Sequence, residues 1–480
     1  MKVKRTKILP NIVLISLACI FNTVMISCNS KSIKKGMFIV TEAPRNIQTP
    51  DYISGDSWRY LAGARISAFI TGKPSSLKVL TENFYSASSP KMSYDGRHML
   101  FAAQQMKDES WQIWEMELDN LKCRKITSFK ENCTDPVYLP GGRLAFSKLT
   151  VNDTVKTAHC LYTCNSDGSG LRQITFSPHT CFATTVLKDG RLLTVNRQLV
   201  PDQGDPVLVV MRPDGTKADM FYQGAGGSIL ISGAHETSDG KIVFIESEKG
   251  IRQTGNLVSI SYNRPLHSSI NLTSGTGVGF YNVLPLRPDN YLVSCRKPDT
   301  EHFALFEFDP VKKSLGQEVL SDPDYNVLDA VLVKEYERPK KLPSEVDMQV
   351  KTGLLFCQDI NLLNVQRQNN LSDIGKAGKI EILGVDTTYG VVEVEEDGSF
   401  QLKIMADTPF RIRTLDKDGN VVNGPCSWLW LRPNERRGCI GCHEDPELAP
   451  ENIVSLAIRK PPVIVPVHVS EIKEKIVDLE

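Results

Sequence analysis

Residues 95–103 read Asp-Gly-Arg-His-Met-Leu-Phe-Ala-Ala: a tight-turn pair, one basic residue, then a compact apolar strand. The same phrase returns as Gly141-Gly142-Arg143 before LAFSK, Asp189-Gly190-Arg191 before LLTVN and Asp239-Gly240-Lys241 before IVFIE, with a degenerate copy, Pro288-Asp289-Asn290, before YLVSC. Counted on Gly96, Gly142, Gly190, Gly240 and Asn290, the copies are 46, 48, 50 and 50 residues apart. Each is followed by a second strand ending in a turn, such as QIWEMELD, VLVVMRPDG or ALFEFDP. A phrase recurring at about 40–50 residues with several strands per repeat is the mark of β-propeller blades. A β-sandwich would also alternate apolar and polar positions, but without one phrase at a fixed period. Residues 56–343 hold six such periods, so six blades are expected.

The text of these repeats, SPKMSYDGRHMLFAA, SWQIWEMELD, CRKIT and NSDGSGLRQIT, resembles that of TolB-like propellers. Past the repeats, Tyr336 to Pro343 is charged and proline-bearing and reads as a linker. A second β region follows, GKIEILGV, GVVEVEE, SFQLKIM and FRIRTLD, broken by Asp397-Gly398 and Asp418-Gly419. Period-2 alternation between Asp-Gly turns predicts antiparallel hairpins in a small sandwich-like domain. The expected class is therefore all-β: a linker over 28–55, a six-bladed propeller over 56–343, a small β domain over 344–432, and a motif-bearing segment and tail over 433–480.

The first 28 residues have another character. Lys2, Lys4, Arg5 and Lys7 precede an apolar run from Ile12 to Ile26, which ends in Met25-Ile26-Ser27-Cys28. The run is shorter than the roughly 20 residues a membrane-spanning helix needs and suits a signal peptide. Its end resembles the bacterial lipobox, which implies cleavage after residue 27, acylation of Cys28 and a lipid-anchored protein of the cell envelope; an ordinary cleaved signal or a single membrane anchor is the alternative. Asn29-Ser30-Lys31-Ser32 lacks the acidic cluster of surface-exported lipoproteins, so an outer-membrane anchor facing the periplasm is expected. The chain has 56 basic and 56 acidic residues; residues 1–27 carry four basic and no acidic ones, leaving 52 against 56. A slightly acidic chain does not suit a nucleic-acid binder, which shows a basic excess.

Residues 438–443, Gly-Cys-Ile-Gly-Cys-His, contain one Cys-x-x-Cys-His, the attachment signature of c-type haem. Two thiols three residues apart reach the two vinyl groups on one porphyrin edge, and the next histidine reaches the iron from one face. The expectation is one covalent haem c on Cys439 and Cys442, with His443 as iron ligand. Three other readings use the same residues: a structural zinc held by Cys426, Cys439, Cys442 and His443, a Cys439–Cys442 redox disulfide, and a relic motif in a non-redox binding lipoprotein. Met405, His98, His159, His179, His235, His267, His302 and His468 are candidates for the second axial position, none singled out by spacing. Trp428 and Trp430 alternate on an expected strand, as core or as haem-pocket wall. Arg436 and Arg437 read as solvated surface, with haem propionates as the alternative partners.

The run SWLWLRPNERRGCIGCHEDPELAPEN, with DGSFQLKIMADTPFRIRTLDKDGNVV before it, resembles the haem-bearing segment of proteins related to the hydrazine synthase alpha subunit, loosely in the propeller and more specifically over about 380–452. The resemblance implies a propeller joined to small β domains carrying the haem motif, with Cys439 and Cys442 as thioether residues and His443 as the motif histidine. It does not carry hydrazine synthesis with it, because that chemistry belongs to a multi-haem assembly and this chain has one Cys-x-x-Cys-His. Electron transfer or haem-based redox chemistry is the expected function, with a redox partner protein or a small molecule; action on a small nitrogen compound rests on the resemblance alone. Cys160 and Cys164, four apart on one strand, are about 13 Å apart and cannot pair with each other. Cys123, Cys133, Cys181, Cys295, Cys357 and Cys426 read as buried thiols. Gln104–Ser110, Val151–Thr157 and Gln198–Asp205 are candidate rim loops of the propeller.

Overall fold

A computed structural model describes residues 32–46, 60–224, 227–248, 254–362, 376–441, 447 and 453–465. Cys28, Cys442, His443 and His468 lie outside the described residues. The described chain is all-β, with one short 3-10 turn at Leu456–Arg459. No helix among the described residues is long and apolar enough to cross a membrane.

Six sheets succeed one another along the propeller. Blade 2 runs Ser86–Met92, His98–Gln104, Gln112–Glu117 and Cys123–Lys125; blades 3 and 4 begin at Cys133–Tyr138 and His179–Val186. Every copy of the repeated phrase is the hairpin turn between the first and second strands of a blade. Gly96, Gly142, Gly190 and Gly240 there have φ of +70°, +81°, +90° and +81°, a conformation that glycine adopts without a Cβ penalty. The aspartate beside the glycine closes the turn: Asp95 Oδ1 accepts from Arg97 N at 3.0 Å, and Asp189 Oδ1 from Arg191 N at 3.0 Å.

The apolar strands are buried on both faces because each blade packs between two others. On His98–Gln104, Met99, Phe101 and Ala103 join the cluster shared with blade 1, while Leu100 and Ala102 join the one shared with blade 3. Burying one side chain such as Phe101 contributes about 1.5–3 kcal/mol.

Blade 1 departs from the expected boundaries. Phe38–Pro44, inside the stretch read as a linker, is a propeller strand, paired antiparallel with Arg65–Ile70 on one side and Tyr325–Leu332 on the other. One sheet thus takes strands from both ends of the propeller and closes the ring. The FIVTEAP sequence has no hairpin partner nearby, so no local turn signal marks it.

The small domain is a two-sheet sandwich. One sheet is ordered Arg436–Gly441, Thr352–Asp359, Phe400–Met405, Val463–Ile464; the other Thr388–Glu393, Lys379–Leu383, Arg411–Leu415, Val421–Asn423. They share a core built on residues such as Leu355, Ile380, Leu402 and Phe410. Two features differ from the sequence reading. The outer strands of the first sheet pair in parallel with their neighbours. The motif-bearing segment is not an appendage after residue 432, because it supplies both of those strands.

The linker is pinned to the propeller. Tyr336 N donates to Tyr94 O at 2.9 Å and Lys340 N to Lys188 O at 3.1 Å. It crosses the hairpin turns so closely that a Cβ on Gly96 would meet Lys334 O at 2.4 Å, and one on Gly190 would meet Lys340 O at 2.1 Å. The repeated glycines thus serve the turn and, in blades 2 and 4, the passage of the linker towards the flank where the small domain sits.

Candidate functional site

On the strand Arg436–Gly441, Arg437, Cys439 and Gly441 share one face by the two-residue period and line a cavity of about 390 Å³ between the small domain and blade 4. The small domain contributes Leu355, Ile360, Phe400, Ile412 and the paired Trp428 and Trp430; blade 4 contributes Val207, Val209, Met220 and His179. Cys357 lies opposite Cys439 in the parallel register, and Cys426 borders the same space. Of the zinc set read from sequence, the described Cys426 and Cys439 do meet at one cavity. Among the described residues no group of three or more metal-ligating side chains forms.

Among the described residues, three of the contacts that join the two domains lie around this cavity. Trp430, 3% exposed, inserts into the apolar cluster between blades 3 and 4, among Val137, Leu161, Cys181 and Met211. Trp428 Nε1 donates to Val200 O at 2.6 Å, so the Gln198–Asp205 loop is a docking point for the small domain and not a free rim loop. Both tryptophans stand in an extended stretch with a single bridge, Leu429 to Phe410, where a regular strand was expected. They are core and cavity wall at once.

Glu435, 1% exposed, is the third contact and was not singled out in the sequence. Its Oε1 accepts from Lys217 N of the propeller at 2.8 Å and from Arg437 Nη2 at 2.8 Å, and its Oε2 accepts from Arg432 N at 2.7 Å. With these donors the hydrogen-bonding capacity of a buried carboxylate is met. It orients Arg437, which lies two residues before Cys439. The reading of Arg436 and Arg437 as solvated surface therefore holds for Arg436 only; the Arg437 side chain is 10% exposed and borders the cavity.

Burial pushes the Asp219 carboxyl up, against the opposing pull of Arg437, and pushes the Cys426 thiol up. Burial drives His179 down to about 4, so its ring is neutral near neutral pH. His179 Nε2 has no hydrogen-bond partner. Of the other histidines, His159 is buried in blade 3 against Tyr60 Oη at 2.6 Å, His235 is half-buried beside Asp135 and Asn282, and His302 pairs with Ser321 Oγ at 2.9 Å on blade 6. None of these, nor Met405, lines the cavity of Cys439. A larger open hollow of about 700 Å³ over blades 5 and 6 is polar-walled and lies apart from the motif.

The described residues suit a macrocycle bound by one edge. The space is largely apolar-walled and partly open, and one motif thiol borders it. The remaining cysteines have no part in it: Cys133, Cys160, Cys164, Cys181 and Cys295 are buried free thiols, and Cys123, read as buried, is an exposed one.

Comparison with known proteins agrees with this architecture. Residues 360–444 match the family described as the hydrazine synthase alpha subunit middle domain. The chain is 24% identical to hydrazine synthase subunit alpha of Kuenenia stuttgartiensis over 532 aligned positions, covering 82% of this chain and 65% of that subunit. It superposes on the Kuenenia stuttgartiensis hydrazine synthase structure with a TM-score of 0.75 at 21% identity, covering 89% of this chain and 72% of that one. TolB from Acinetobacter baumannii is a looser likeness, with a TM-score of 0.40 at 14% identity over 64% of this chain and 67% of that one.

Proposed function

We propose that this chain, similar to the alpha subunit of hydrazine synthase, is an envelope lipoprotein bearing one covalent haem c and works in electron transfer or haem-based redox chemistry. Cys439 and Cys442 would hold the haem through thioethers and His443 would bind its iron. The observation that carries the reading is that Cys439, the first cysteine of a complete Cys-x-x-Cys-His, borders a largely apolar cavity between the two domains. When bound, the haem supplies one-electron chemistry at the iron. The chain supplies the rest. The sandwich and blade 4 supply apolar walls, Glu435 fixes the strand that carries Cys439, and Arg437 offers a charge-assisted donor at the cavity wall. A lipid on Cys28 would hold the protein to the outer membrane, facing the periplasm. Its partner is a redox protein or a small molecule, and hydrazine synthesis is not implied, since the chain covers 65% of that subunit.

The test is export of the full chain in a host with a cytochrome c maturation system. Haem staining on a denaturing gel and a pyridine haemochrome spectrum should give one haem per chain, lost in Cys442→Ser. Wild-type protein with no covalent haem overturns the reading, and one zinc with no iron identifies the non-redox alternative.

A further inference from the structure

A second cavity at the domain junction, of about 500 Å³ and partly open, shares no lining residue with the one that Cys439 borders. Two arginines of blade 3 stand on its wall. Arg143 begins the strand Arg143–Asn152 and Arg172 lies on Arg172–Gln173, either side of the strand Lys156–Asn165. Their register partners on that middle strand are Asn165 and Thr163, two residues apart and so on one face. Neutral acceptors alone hold Arg143: Nη1 donates to Asn165 Oδ1 at 2.7 Å, and Nη2 to Thr163 Oγ1 at 3.0 Å and Gly170 O at 2.7 Å. Among the described residues the Arg172 side chain has no hydrogen-bond or ion-pair partner. The carboxylates of the cavity are engaged elsewhere. Asp407 Oδ1 accepts from Arg432 Nη1 at 2.7 Å, Asp214 Oδ1 from Thr216 N at 3.0 Å, and Asp214 Oδ2 from Glu345 N at 2.7 Å. Two guanidiniums thus share one face with no counter-charge bound to either. The other walls are apolar, and two large side chains there stay in water, Met348 at 62% and Leu171 at 41% exposed. Exposed apolar side chains around a concave polar anchor are the make-up of a ligand site.

We propose that this cavity binds a small organic anion, with a carboxylate or phosphate head on Arg143 and Arg172 and an apolar body along Leu171, Phe176 and Met348. A guanidinium suits such a head because its planar N–H groups meet two oxygens at once. The three bonds of Arg143 leave Nε–H and one Nη1–H for the ligand, and the exposed Arg172 supplies all of its donors. The volume lies within the range of small-molecule sites, about 300–1,000 Å³. The inference is independent of the haem reading, since no residue of the motif takes part.

The experiment is isothermal titration calorimetry of the full-length protein with octanoate, octyl phosphate, octanol and inorganic phosphate. One saturable site per chain is expected for octanoate or octyl phosphate, and the tighter of the two identifies the head group. Octanol and inorganic phosphate should each bind about tenfold more weakly or worse, since each lacks one half of the recognition. Arg172→Ala should weaken the anion about tenfold, and Met348→Asp, on the linker wall, should weaken it as well. Arg287→Ala, an exposed arginine of blade 6, serves as the control and should match wild type. Absence of saturable binding by both anions overturns the proposal. So does octanol or inorganic phosphate binding as tightly as the anions, or wild-type affinity in Arg172→Ala. If Arg172→Ala does not fold, Arg172→Gln, which keeps the stem and removes the charge, replaces it with the same expected loss.

Discussion

Asp407 meets Arg432 at 2.7 Å under the domain interface, and Arg432 lies over the Phe176 ring at 4.6 Å. Burial outweighs the arginine and lifts the Asp407 carboxyl from 3.8 to about 6. The folded chain then holds this proton more tightly than the unfolded chain does. Between about pH 4 and pH 6 the group's contribution to stability falls as pH rises, the reverse of an ordinary paired aspartate. Asp407→Asn, which keeps an acceptor for Arg432, should flatten the stability profile over that window, as urea unfolding at a series of pH values will measure; an unchanged slope would show that Asp407 does not titrate there. At this scale the sequence is legible where chemistry is written in adjacent positions. Cys439, Cys442 and His443 could be named because the Cys-x-x-Cys-His signature is a fixed local spacing. Glu435 could not, because its role comes from packing between segments far apart in the chain.

Elements were more readable than residues. The Asp-Gly and Gly-Gly turns announce hairpins through local backbone chemistry, and each proved to join the first two strands of a blade. Elements without a local signal were missed or misjudged. The Trp428–Trp430 stretch has the alternation of a strand but is held by side-chain insertion, with one bridge in place of a ladder. Trp430 carries much of the docking: Trp430→Ala should cost about 3–5 kcal/mol of unfolding free energy, from lost transfer and a cavity between blades 3 and 4. The same variant should make the linker at Tyr336–Pro343 more open to protease. If the loss is below 1 kcal/mol and cleavage is unchanged, the tryptophan is not the anchor inferred from its place in the cluster.

For the whole molecule, the strongest constraint is the closure of the ring. Glu42, fully buried on the N-terminal strand, accepts from Arg65 Nε at 2.9 Å; Arg65 Nη2 also reaches Asp322 Oδ2 at 3.2 Å, and its guanidinium stacks on Tyr325 at 3.7 Å. One arginine thus links the first, second and last strands of blade 1. Arg65→Ala would strand the Glu42 carboxylate without its cation, a change that costs about 3–5 kcal/mol at buried pairs. A matching fall in urea-unfolding free energy is expected, with partial recovery in an Arg65→Ala/Glu42→Gln double variant. The number of blades was legible from the period, but the closure was not, since its partners lie at opposite ends of the repeat array.

That closure also sets a timetable. Blade 1 cannot be completed until Tyr325–Leu332 has been synthesised, so the N-terminal strand must wait through the making of every other blade. The small domain emerges later still, onto a propeller whose final seam has only just become available. While waiting, Phe38–Pro44 presents an open edge, and such edges are templates for strand exchange. A chain halted before residue 325 should therefore recruit a strand from a second copy, and a swapped dimer is the expected by-product of interrupted synthesis.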